Sequence, residues 1–175
     1  MNVYAIVARL LDYPDHELHD HLAEARVGVQ SDPALAPSEQ QALLGVIDWM
    51  QARPQLELEA DYVQTFDTVP EHALYLTHHT FGDSRERGPA LVELGEHYKD
   101  VGLVVRDGEL PDFLPLMLEY VALIEPHDPD AALRFLGEAR PIVSDLAARL
   151  EAQASPFAPL LRFVAGRGRR TRAAA

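Results

Sequence analysis

The chain has 175 residues, 47% of them hydrophobic and 25% charged, which is the composition of a folded domain and excludes an intrinsically disordered chain. It contains no cysteine, so disulfides, zinc–thiolate sites, iron–sulfur clusters and thiol nucleophiles are excluded together. The formal charge is −13, and it is unevenly placed: Arg162, Arg167, Arg169, Arg170 and Arg172 crowd into residues 162–175, which hold no Asp or Glu. A body this acidic repels nucleic acid and anionic lipid and attracts basic peptides or basic protein surfaces.

Taken in chain order, the apolar residues fall at helical spacing almost throughout. Val3, Ile6, Val7, Leu10 and Leu11 predict an amphipathic helix that Tyr13-Pro14 stops. This stretch lacks a basic leader and a cleavage site, and no run approaches the length of a membrane span, so the expectation is a soluble cytoplasmic protein. Asp15 offers a cap for a second helix through about Val27. Ser38 to about Ala52 forms a third, with Leu43, Val46, Ile47 and Met50 inward, and Pro54 begins a fourth carrying Leu58, Tyr62 and Phe66.

An irregular stretch is expected from Asp67 to Asp83, followed by a helix that starts at Ser84, shows Leu91, Leu94, Tyr98 and Val101 on one face, and ends at Gly102. Leu103 to Val105 is the one plausible strand, and it has no obvious partner. Phe113 to Ile124 leaves almost no polar side, which predicts a central buried helix. Asp128-Pro129 restarts the chain, Pro141 divides the next region into two halves, and Phe157, Leu160, Leu161 and Val164 carry a last helix. The sum is an all-α, single-domain helical bundle of about seven to nine short helices over residues 1–165, with residues 166–175 as a basic, solvated tail.

Candidate chemistry is sparse. Gly82-Asp83-Ser84 matches the tripeptide of a lipase and esterase family, but it precedes a helix and no histidine follows His127, so Asp83 and Ser84 read as a helix cap. His78 and His79 with Asp83 could serve a small metal-dependent hydrolase, and His16, His19 and His21 raise the same thought, yet neither group has a further spaced ligand set. The richer region runs from Asp61 to Glu125, where loops between apolar helices carry many aromatic and charged residues, the usual makeup of a binding surface.

Within it, Tyr62-Val63-Gln64-Thr65-Phe66-Asp67, Leu74-Tyr75-Leu76-Thr77-His78, Phe81-Gly82-Asp83-Ser84-Arg85-Glu86-Arg87-Gly88 and Glu109-Leu110-Pro111-Asp112-Phe113-Leu114-Pro115 follow one another, preceded by Leu10-Leu11-Asp12-Tyr13-Pro14. These blocks, in this order, resemble the motifs of the nitrate reductase assembly chaperone family, NarJ or delta subunit, within the wider TorD/DmsD/NarJ group of redox-enzyme chaperones. The resemblance runs from about residue 5 to residue 125.

It implies an all-helical, non-enzymatic chaperone that takes the N-terminal segment of the apo catalytic alpha subunit of respiratory nitrate reductase, alone or in the alpha–beta complex. It implies no stably bound cofactor of its own and help with insertion of the molybdenum cofactor, bis-molybdopterin guanine dinucleotide, into the client. Monomer and homodimer both stay open. A basic amphipathic peptide would then lie in a groove built around Tyr62, the Asp67–Asp83 connection and the Glu109–Pro115 approach to the buried helix. Phe66, Tyr75, Leu76 and Leu114 would be its apolar anchors, while Asp67, Glu71, Glu109, Asp112 and Glu119 would face the positive charge. His72, His78 and His79 would tune capture near neutral pH. Asp83, Ser84, Arg85 and Arg87, with Pro111 and Pro115, would shape the motif.

Overall fold

A computed structural model describes residues 2–167. Its elements are α1 (Val3–Leu11), α2 (His16–Ser31), α3 (Pro37–Gln51), α4 (Gln55–Tyr62), a π-helical turn (Val63–Asp67), a 3-10 turn (Pro70–His72), α5 (Leu76–Phe81), α6 (Arg87–Asp100), α7 (Leu114–Ile124), α8 (Pro129–Ala152) and α9 (Ala158–Arg167). The all-α expectation holds among the described residues. None of these helices is long and apolar enough to cross a membrane.

Local chemistry explains most of the boundaries. Asn2 caps α1 by accepting the Tyr4 N–H at 2.8 Å, and Asp15 caps α2 by accepting the Leu18 N–H at 2.9 Å. α2 runs on to Ser31, past the expected end near Val27, because Ala25 and Val29 continue its buried stripe. Gly82, at φ +53°, ends α5 in the left-handed region that a side chain would resist.

Four expectations change. Leu103–Val105 is not a strand: the β pairing among the described residues is one bridge between Tyr75 and Phe113, closed by Leu76 N–H to Asp112 O at 3.0 Å and Leu114 N–H to Leu74 O at 2.9 Å. Pro141 does not divide α8, because it lies on the exposed face, where the helix can bend and water can reach the carbonyl left without a donor. The helix expected at Ser84 begins at Arg87, and neither Asp83 nor Ser84 caps it; Ser84 Oγ accepts the Glu86 N–H within the preceding turn. The last helix continues through Arg167, two residues beyond the expected edge of the domain, because the Arg167 guanidinium is buried against Phe163 and pairs with Glu39 at 3.0 Å. The rest of the expected tail, 168–175, lies outside the described residues.

The core centres on α7, which α1 flanks on one side, with α8 and α9 paired beside it and α2 packed on α3. Leu114, Leu118 and Val121 of α7 are completely enclosed. Phe157, in the α8–α9 turn, joins Trp49, Tyr62 and Phe66 in an aromatic cluster with ring centroids 5.0–6.2 Å apart. This cluster fixes the end of α4, where the candidate site begins.

Candidate functional site

At the end of α4 the helix widens into a π-turn, closed by Thr68 N–H to Val63 O at 3.0 Å, a distortion that re-aims the residues after it. Phe66 consequently turns into the aromatic cluster and Asp67 turns outward. The bridge between Tyr75 and Phe113, whose rings stand 5.2 Å apart, then brings the 109–119 segment alongside. Asp12, at the end of α1, completes the arrangement: with Glu109 and Glu119 it lines a shallow notch that also includes Phe113 and Pro115.

The result is an acidic face studded with tyrosines. Asp12, Asp67 and Glu109 all act on the buried Tyr62 hydroxyl, whose pKa burial has already raised far above the ordinary value. Tyr75, half-buried, is pushed up to about 12, first by burial and then by the Glu109 carboxylate beside its hydroxyl. Burial raises the Glu119 carboxyl, an effect opposed by the positive charges of Arg106 and Arg9, and burial on one side raises Asp67. Arg106 and Arg9 reach Asp12 at 3.4 Å and 3.8 Å, so the face holds two cations of its own among a larger number of carboxylates.

Several expected site residues lie elsewhere. Tyr62, Phe66, Leu76 and Leu114 are 4%, 3%, 3% and 0% exposed, so they build the core beneath the face and present no anchor on it; of the aromatic anchors, Tyr75 alone reaches the surface. Asp112 is fully enclosed and spent inside the protein. Its Oδ2 accepts the Thr77 N–H at 3.0 Å, the Thr77 hydroxyl, and Arg87 Nη2 at 3.2 Å, while Arg87 Nε donates to Thr77 Oγ1 at 2.8 Å. His72 is buried, its ring nitrogens placed at Thr65 O and Gln153, and His79 meets the Ala73 carbonyl at 2.7 Å. Glu71 is exposed on the 3-10 turn, where Arg149 holds its carbonyl.

His78 and His79 stack at 5.8 Å and Asp83 is exposed; among the described residues no group of three His, Asp or Glu is arranged to hold a metal ion. His16, His19 and His21 point to solvent along α2.

The residue-by-residue reading missed Tyr13. It is 42% exposed on the acidic face, its ring packs edge-on against Tyr62 at 5.6 Å, and Glu59 stands beside its hydroxyl. The signal was in the Leu10–Pro14 block, where a tyrosine directly before a helix-stopping proline has no helical face to be buried on.

Behind the face, α5, α6, α7 and α8 enclose an apolar cleft of about 350 Å³. Leu76, Leu94, Met117, Phe135 and Ile142 line it, and Glu93 and Glu138 are its carboxylates.

An all-helical domain with an acidic, tyrosine-bearing face and an adjoining apolar cleft is the class of a protein that binds other polypeptides. The comparisons with known proteins then give the family. The family model described as nitrate reductase delta subunit matches residues 32–162, and the chain belongs to that family. It is 36% identical over 155 residues to the nitrate reductase molybdenum cofactor assembly chaperone NarJ of Escherichia coli K12, a match covering 89% of this chain and 64% of that protein. A probable NarJ of Bacillus subtilis is 33% identical over 161 residues, covering 92% of this chain and 85% of the relative. The nitrate reductase-like protein NarX of Mycobacterium tuberculosis is 36% identical over 107 residues, 61% of this chain and 16% of its own length.

Proposed function

We propose that this chain is a cytoplasmic assembly chaperone for a respiratory nitrate reductase. It holds the apo catalytic subunit by a basic N-terminal segment while the molybdenum cofactor enters, delays attachment to the membrane partner, and departs. The cofactor is the client's, and the chaperone contributes binding with no reaction of its own. The relatives' printed roles support this reading, and one observation carries it: Asp12, Asp67, Glu109 and Glu119 converge around Tyr13 and Tyr75 on a single face. Carboxylates there steer a cationic segment and fix its register, while the tyrosines offer apolar area and π-faces to lysine and arginine side chains.

The decisive experiment is capture of the apo catalytic subunit with and without its first few dozen residues. Capture that survives their removal unchanged overturns the segment as the point of contact. Calorimetry with a synthetic peptide of that segment locates the face: Tyr75→Ala and Glu109→Gln should each weaken binding, Tyr75 by more than about 1 kcal/mol and the rim carboxylate by less. Equal affinity in both variants, with the fold intact, removes the face from the interface.

A further inference from the structure

α6 is held at its ends and little in between. Of its fourteen residues Tyr98 alone is buried; Ala90, Leu91 and Leu94 are half-covered, and Val92 is 64% exposed. Gly88 and Gly95 further weaken it as a helix. The apolar cleft lies directly beneath it, so the side chains that should seal α6 to α7 and α8 leave room for one or two large side chains. Two fastenings hold the helix. Arg87, at its start, bonds Thr77 and Asp112; Tyr98, near its end, donates its hydroxyl to the Pro111 carbonyl. Both fastenings meet on two consecutive residues, Pro111 and Asp112, and these sit between Glu109 and Phe113 at the acidic face.

We infer that α6 is a flap over the cleft, and that the segment 109–113 couples it to the acidic face. A basic segment drawn to Glu109 shifts the backbone of 109–113, loosens both fastenings at once, and opens the cleft to an apolar side chain of that same segment. The occupant follows from the lining: aliphatic and aromatic walls, Glu93 and Glu138 at the carboxylate positions, and no Lys or Arg, which suits a bulky apolar residue flanked by positive charge. The closed flap lowers apparent affinity by the fraction of molecules that are open, so recognition at the face and holding in the cleft become one cooperative event. The inference rests on the proposed chaperone reading and specifies how the holding site is controlled.

The lack of native cysteine makes a cross-link unambiguous. A Glu93→Cys/Glu138→Cys chain closed by a short bismaleimide should bind the synthetic N-terminal client peptide at least about tenfold more weakly than the same variant left unlinked. Independently of any peptide, amide exchange should show α6 opening well before α7 and α8. Arg87→Gln should speed exchange in α6 alone, and Tyr98→Phe, which removes one hydroxyl and keeps the buried ring, gives the same reading if Arg87→Gln folds poorly.

Linked and unlinked protein binding equally, or α6 exchanging as slowly as α7, overturns the flap. If the unmodified chain ignores the peptide, the proposed function fails, and exchange still decides whether α6 opens.

Discussion

α7 and α6 are neighbours in sequence with opposite relations to the protein. α7 buries six of its eleven residues and is apolar on nearly every side; α6 buries one of fourteen and carries two glycines. A helix of the first kind is stabilised by tertiary packing whatever its propensity, whereas one of the second kind depends on a few polar ties and on its own weak tendency to form. The structure thus sets a rigid post against a lightly fastened plank, and the binding residues lie where the two are joined.

Mutations should separate the two regions, beginning with the post. Leu118→Ala, at a completely enclosed position of α7, should cost about 3–4 kcal/mol in denaturant unfolding, whereas Val92→Ala on α6 should stay within about 0.5 kcal/mol. Similar losses at both sites would abolish the contrast. Asp112→Asn, which leaves Arg87 without its ion pair, should cost about 2 kcal/mol and speed exchange in α6 more than in α7.

Gly95→Ala should act the other way. A Cβ there meets nothing within 4 Å, so the variant should gain up to about 1 kcal/mol of local helix stability and slow α6 opening.

The smallest effect is on pH. Asp67 and Glu119 hold protons at higher pH than ordinary carboxylates, because burial disfavours their charged forms, so the face loses negative charge first at these two groups as pH falls from neutrality. Affinity for a cationic peptide should therefore drop a few-fold between about pH 7 and pH 5, and flat binding would place the peptide away from them.

Much of the scaffold was legible because burial and helical period coincide. The stripe of α1, the all-round apolar surface of α7 and the aspartate cap of α2 each declare themselves within a few residues. The site was less so. An aromatic residue between two helices can plug the core or wait for a partner, and composition cannot distinguish them; Phe66 went inward because the π-turn aims it there. Asp112 looked like a rim charge because its ion-pair partner, Arg87, is 25 residues away in sequence and only the fold brings the two together. Pro141 looked like a boundary because sequence does not say which way its face of α8 points.

The π-turn at Val63–Asp67 has a consequence for how this surface tolerates change in length. Such a turn is a helix carrying one surplus residue, and each residue of an α-helix advances the chain by about 100°. Loss of Gln64 would restore ordinary winding and swing everything beyond it around the axis, taking the Phe66 ring from Phe157 and the Asp67 carboxylate from its neighbours in a single step. Single-residue deletions at this point therefore rewrite the surface in one event, where substitutions would need several.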